Sequence, residues 1–306
     1  MVINLVGKFS NQWGAEWFVK KGFESLGHEV LPLEIGKSYA LLRSAKIDAL
    51  TIVMQGYGLA PKLIESGRRL TKKPWILWHA EILPQFWPTD DPVTAGKTEE
   101  LRRNVWTFDA VGHNCKLPLK FIRHIGGKNV FHAPANGVDS RIHRCIEGIE
   151  KKFLIGFYGY PSPRRLTTMA YLQSNGIPVE WRMPQDGCFG EDLTRFINEC
   201  HCILNLHYSD TRNTECRLYE AMGCGVPVIS EQISMPELFP EDYCHINYFG
   251  SPEELLVLTN RACQYAASNP EWSAWAGREA MTWLHKNSSY AKRCQNFLEQ
   301  IGNLPL

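Results

Sequence analysis

Residues 213–230 read NTECRLYEAMGCGVPVIS, and the order of residue types in this stretch decides the fold. Asn213 or Thr214 can cap a helix start, because a short polar side chain accepts hydrogen bonds from the first unbonded backbone N–H groups. The spacing predicts a helix over 215–222, stopped by Gly223 and Gly225, since glycine tolerates the left-handed turn that ends a helix. The apolar run 226–230 follows at once and reads as a strand buried on both faces. A helix that turns through glycine straight into a buried strand is half of a βαβ unit. Such units build parallel sheets with helices on both sides.

The same rhythm extends in both directions. Strands are expected over 153–158, 179–183 and 202–206, with helices over 165–174 and 192–199 between them. The tail from Pro252 onward reads as mostly helical, with Trp272, Trp275 and Trp283 as packing anchors. Upstream, strands are expected over 2–6, 28–33, 49–54, 75–78, 110–113 and 129–132, and a helix over 15–26 ends at Gly27. Two such cycles make an α/β chain of two Rossmann-like domains, 1–145 and 146–306. Parallel sheets bind ligands beyond the carboxyl ends of their strands, so the loops that directly follow strands carry the candidate sites.

With 306 residues, 44% hydrophobic and 21% charged, the chain can bury two cores and is not disordered in composition. No apolar run approaches the roughly 20 residues of a membrane helix. The start MVINLVGKFS has no secretion-signal pattern. Ten cysteines without a CxxC pair read as reduced thiols, so a cytoplasmic protein without structural zinc is expected. Residues 1–140 hold 18 Lys and Arg against 13 Asp and Glu, whereas 141–306 hold 15 against 19. A positive first half can meet an anionic partner, and chance can also produce an imbalance of this size.

Several residues point to chemistry. Arg217 and Glu220 are three apart and share a helix face. Glu220 can accept both hydroxyls of a ribose while Arg217 meets a diphosphate; the same pair also fits a surface salt bridge. His79 ends a strand in WILWHAEILP, where it faces the ligand end of the sheet or sits in a Trp-rich core. Glu81, two residues on, is a candidate base or acceptor ligand. Residues 84–97, PQFWPTDDPVTAGK, are expected to be an irregular binding loop. Its Asp90-Asp91 lacks the spacing of a DxD metal site. Trp13 and Trp87 are candidate acceptor contacts among six tryptophans of the first half. Their mixture with Arg68-Arg69, Lys72-Lys73 and Arg102-Arg103 also suits nucleic acid.

Glu220-Ala221 followed by Gly225-Val226-Pro227-Val228-Ile229 resembles the hallmark of the GT-B glycosyltransferases, near the family 4 retaining group and its shorter CgeB-like relatives. Gly14-Ala15-Glu16 with Gly27-His28-Glu29-Val30, Asn136-Gly137-Val138-Asp139, Tyr158-Gly159 with Arg164-Arg165, and Pro236-Glu237-Leu238 match in the same order. The resemblance implies two Rossmann-like domains facing a central cleft, with the carboxyl-terminal helix, about 286–306, returning to the first. It implies transfer of a sugar from a nucleoside diphosphate sugar to a hydroxyl acceptor with retention. The acceptor falls to the first domain, whose positive surplus fits an anionic acceptor, nucleic acid included; a transferase acting on a hydroxylated base in DNA is an alternative. A sugar-nucleotide epimerase or hydrolase, and a non-catalytic binding module, remain alternatives. Donor contacts would come from Gly14, Arg164, Arg165, Asn213, Thr214, Arg217 and Glu220, and catalytic contacts from His79, Glu81 and Arg165. Arginines would neutralise the diphosphate without a metal or cofactor. One departure is Arg212, where the larger group carries a second glutamate; Glu215 is a displaced substitute.

Overall fold

The apolar runs form two wholly parallel sheets. The structure, a computed structural model, describes residues 1–10, 13–36, 43–81, 83, 92–209, 216–239, 246–268 and 270–305. The chain divides into one unit of Met1–Asn136 with Tyr290–Leu306 and a second of Gly137–Ser289.

The first unit carries β1 (Val2–Gly7), α1 (Ala15–Ser25), β2 (Glu29–Glu34), β3 (Leu50–Met54), α2 (Pro61–Leu70), β4 (Trp75–His79), α3 (Pro92–Asn104), β5 (Ala110–His113), α4 (Leu119–His124) and β6 (Val130–His132). Its sheet order is β2-β1-β3-β4-β5-β6. All of β4 and β5 is buried, as expected of central parallel strands. Trp75 and Trp78 are enclosed because their indole N–H groups find Thr71 Oγ1 at 2.8 Å and Ala133 O at 2.9 Å.

The second unit carries β7 (Phe153–Tyr158), α5 (Pro163–Ser174), β8 (Val179–Arg182), α6 (Gly190–Glu199), β9 (Cys200–Asn205), α7 (Cys216–Gly223), β10 (Val228–Glu231), β11 (Ile246–Phe249), α8 (Pro252–Ser268) and α9 (Pro270–Asn287). Its sheet order is β11-β10-β9-β7-β8. The first crossing lies at Asn136–Gly137, earlier than the expected 145, because Val138 is already enclosed in the second unit's core. Val138 N donates to Ser288 O at 3.0 Å, so the first and last residues of this unit run side by side. Trp283 packs against the same core, whereas Trp272 and Trp275 lie outside the residues whose side chains are described.

The final helix, α10 (Tyr290–Gly302), belongs to the first unit. Phe297 stacks on Trp78 with centroids 4.0 Å apart, and Tyr290 stacks on Phe18 at 5.0 Å. Gly22 permits this approach: a Cβ there would lie 2.8 Å from both Tyr290 O and Cys294 Sγ.

Two expectations change. Residues 84–91 lie outside the described residues, but from Pro92 the expected irregular loop is already helix α3. Proline breaks a helix interior yet suits its first turn, where its missing N–H has no partner to lose. Strand β11 and helix α4 were not anticipated, because runs of four to six residues give weak periodicity.

The Trp78–Phe297 stack makes a test. Phe297→Ala is expected to cost about 3–5 kcal/mol in the first unit, the range for emptying an aromatic core position. A urea titration followed by tryptophan fluorescence should show an earlier midpoint; an unmoved midpoint would exclude α10 as part of that core.

Candidate functional site

Both sheets change direction at one place. In the second unit the chain steps from β7 outward to β8, then crosses to the other side as β9. The connections after β7 and β9 therefore run in opposite directions, and at such a topological switch point open α/β sheets bind their ligands. Tyr158 and Asn205 end these strands. Gly159 follows Tyr158 with φ +140°, and a Cβ there would meet Arg217 Nη2 at 2.9 Å and Arg165 Nη1 at 3.2 Å. Only glycine fits, both for the dihedral and for the arginines behind it.

Arg165 and Arg217, expected as diphosphate contacts, are both buried, at 4% and 5% exposure. The cause is the carbonyls at the strand ends, which leave the ladder without partners and must be satisfied once buried. Arg217 Nε donates to Tyr158 O at 3.0 Å, and its Nη1 donates to Asn205 Oδ1 at 2.6 Å and Leu206 O at 3.4 Å. Arg165 donates to the same Leu206 O from Nη2 at 2.8 Å and Nε at 3.2 Å, and to Tyr160 O at 2.8 Å. Both guanidinium groups lie over the Phe157 ring, at 5.3 and 4.7 Å. The arginines thus put two positive charges beneath these strand ends while shaping their backbone.

Glu220, on α7, is half-buried, and its Oε2 accepts from Tyr158 Oη at 2.8 Å. Burial, then the Glu220 charge, pushes the Tyr158 phenol well above its usual range, so it stays a donor. Arg164, in the first turn of α5, reaches Glu231 at the end of β10. Glu231 Oε2 also accepts from His207 N at 2.5 Å. Asn213, Thr214, Arg212, Glu215 and Trp87 lie outside the described residues.

In the first unit the switch point lies between β1 and β3. Gln55, just past β3, has φ +62°, an uncommon conformation for a residue with a side chain. Its Oε1 accepts from Ala80 N at 3.0 Å and so ties the end of β3 to that of β4. His79 is completely buried, with Nε2 2.9 Å from Tyr57 Oη and its ring stacked on His113 at 5.2 Å. Its Nδ1 has no hydrogen-bond partner among the described residues. Burial holds His79 well below its usual pKa, with the charges of His113 and Lys97 adding to the effect. Burial likewise lowers His113 to about 4. Glu81 pairs with Lys97 of α3. Gly14 precedes α1 in an extended conformation, and Trp13 packs on Trp17 with centroids 6.2 Å apart.

The structure thus places Arg165, Arg217 and Glu220 around the ends of β7 and β9, Arg164 beside Glu231 at the end of β10, and His79 and Glu81 at and just past the end of β4. Sequence reasoning missed Asn205, Glu231, Tyr57 and His113 as members of these sites. A polar residue closing an apolar run was the available signal for Asn205, Glu231 and His113.

These buried imidazoles have a consequence for stability. The unfolded chain takes up a proton on each histidine below about 6.5, whereas folded His113 resists protonation until about 4. Stability should therefore be full above pH 6.5 and fall as the pH drops from there towards 4. Thermal unfolding from pH 7.5 to 4.5 should show this decline, and His113→Asn should flatten it. An unchanged slope in the variant would mean that His113 does not carry it.

Residues 172–299 match the family model described as glycosyl transferase-like. Over 143 residues the chain is 26% identical to an uncharacterized protein of Acanthamoeba polyphaga mimivirus, a stretch covering 43% of this chain and 42% of that relative. The chain therefore matches less than half the length of this viral relative. HepE of Anabaena in complex with UDP superposes with a TM-score of 0.64 at 13% identity, covering 99% of this chain and 100% of that one. The same protein with UDP-glucose gives 0.63 at 14% identity and the same coverage. Sucrose-phosphate synthase from Thermosynechococcus elongatus gives 0.64 at 11% identity, covering 99% of each chain. Likeness at such low identity speaks for the fold, and the family match speaks for the segment that carries Glu220. The chain has the GT-B fold of two Rossmann-like units, and its residues 172–299 match the glycosyl transferase-like family model.

Proposed function

We propose that the chain transfers a sugar from a nucleoside diphosphate sugar to a hydroxyl acceptor, with retention of configuration. The observation that carries this reading is the Glu220 carboxylate, held by Tyr158 Oη at 2.8 Å beside the β7–β9 switch point and within the glycosyl transferase-like match. A fixed, ionised carboxylate there suits the two hydroxyls of a ribose. The partly exposed Arg164 would meet the diphosphate, and the buried charges of Arg165 and Arg217 would favour it from beneath. This changes the part of Arg165 and Arg217 from direct ligands to groups that position Gly159 and bias the local potential.

In the first unit, Glu81 would contact the acceptor, while the enclosed His79, expected at the transferred sugar, would act from beneath by holding the Tyr57 hydroxyl. A neutral imidazole suits that supporting part, since its hydrogen bonding does not change across the physiological range. Trp13 and Gly14 would border the acceptor and donor on this unit. The positive surplus of residues 1–140 favours an anionic acceptor. HepE binds UDP and UDP-glucose in its crystals, which makes these the first ligands to try here.

Titration with UDP and UDP-glucose, followed by Glu220→Ala, tests the reading. Loss of two charge-assisted hydrogen bonds should weaken donor binding about tenfold to a hundredfold. Tyr158→Phe should weaken it less, since it frees the carboxylate without removing it. Wild-type affinity in a folded Glu220→Ala protein would remove Glu220 from the donor site. Transfer should also persist in excess chelator, because the arginines take over the neutralisation that Mg²⁺ provides elsewhere. Activity lost to chelator and restored by Mg²⁺ or Mn²⁺ would reverse that expectation.

A further inference from the structure

The three arginines expected at the diphosphate are held differently. Arg165 and Arg217 are buried and bonded to main-chain carbonyls, which cannot change charge or leave. Arg164, by contrast, has a carboxylate among its partners. Its Nε lies 3.0 Å from Glu231 Oε1, and its Nη2 converges on the same oxygen. The two partners also differ in freedom. The Arg164 side chain is 43% exposed and that of Glu231 only 10%. Glu231 is pinned at its other oxygen by His207 N at 2.5 Å, while the His207 ring lies 3.0 Å from Gln232 O. If the pair opens, the arginine moves and the acid stays. The pair lines a cavity of about 710 Å³ at the ends of β10 and β11, so the guanidinium has open space beside it.

We propose that Glu231 is a resident counter-charge for Arg164 which the donor's diphosphate displaces, so that this one carboxylate sets how tightly the diphosphate is held and how fast it leaves. The proposal rests on the donor-site reading above. A partly exposed ion pair contributes at most about 1 kcal/mol, so it is weak enough to exchange. A diphosphate carries more negative charge than one carboxylate and accepts the arginine fork in the same geometry. After transfer the nucleoside diphosphate must leave, and a carboxylate waiting at fixed distance lowers the cost of releasing the cation. Glu231 is thus a positioning residue: it sets Arg164 and touches no reacting atom.

The experiment is calorimetric titration of UDP, GDP, ADP and uridine into the wild-type chain, Glu231→Gln, Glu231→Asp, Arg164→Ala and the Arg164→Ala/Glu231→Gln double variant. Thermal unfolding checks that each is folded. Glu231→Gln keeps an acceptor for His207 N but drops the charge. It should bind the diphosphate about fivefold more tightly, the equivalent of an ion pair of this kind, and release it more slowly in stopped-flow chase. Glu231→Asp should stay near wild type, uridine binding should not change, and the gain should vanish in the Arg164→Ala background. Unchanged or weaker diphosphate binding by folded Glu231→Gln overturns the exchange, as does a gain that survives without Arg164. If the wild-type chain binds none of the three diphosphates, the donor-site reading itself fails, and the exchange with it.

Discussion

The carbonyl of Leu206 is the point on which the second unit's site depends. It lies just past the end of β9, where the sheet no longer supplies a donor, and it is buried. Two guanidinium groups from different helices, Arg165 of α5 and Arg217 of α7, converge on it. A single N–H would have satisfied the oxygen. Two arginines do more, because each carries further donors to Tyr158 O, Tyr160 O and Asn205 Oδ1. The exits of β7 and β9 are thereby fixed relative to each other. Burying two like charges is costly unless aromatic faces and carbonyl dipoles compensate, and the Phe157, Tyr158 and Tyr208 rings supply part of that compensation.

This arrangement joins structure to function through electrostatics. Positive charge that cannot move favours an anion beside these strand ends without committing a particular side chain to it. In the proposed exchange the contact that opens is that of Arg164 with Glu231, which is anchored on the strand two places along the sheet from β7. Glu220 is held in turn by the Tyr158 hydroxyl, so the strand that ends at Gly159 also sets the carboxylate. In the first unit, burial does the comparable work: it keeps His79 and His113 neutral and stacked at the ends of adjacent strands.

Every parallel strand except β11 was legible in the sequence as a short, mostly apolar run between turn signals, as in 153–158. Helix α3 was not, because proline was read as a breaker when Pro92 stands in the one turn that accepts it. Glu220 was legible through its neighbours Ala221 and Gly225-Val226-Pro227. Helical spacing placed Arg217 on the face of Glu220, but only packing turned it inward under Phe157. Glu231 and His113 carried a weak signal, each being a polar residue that closes an apolar strand.

The sequence by itself determined the α/β class, the two cycles of strands and helices, and the segment that bears the transferase-like motif. All of these follow from local periodicity and turn chemistry, which neighbouring residues settle among themselves. Only the tertiary structure decided which charges are buried, which carbonyls need donors, and which acid faces which arginine. Those outcomes depend on strand order, which brings Tyr158, Asn205 and Glu231 to one edge although 47 and 26 positions separate them along the chain. Desolvation then fixes each group's part: a guanidinium in water is a ligand in waiting, and the same group under a strand end is a support.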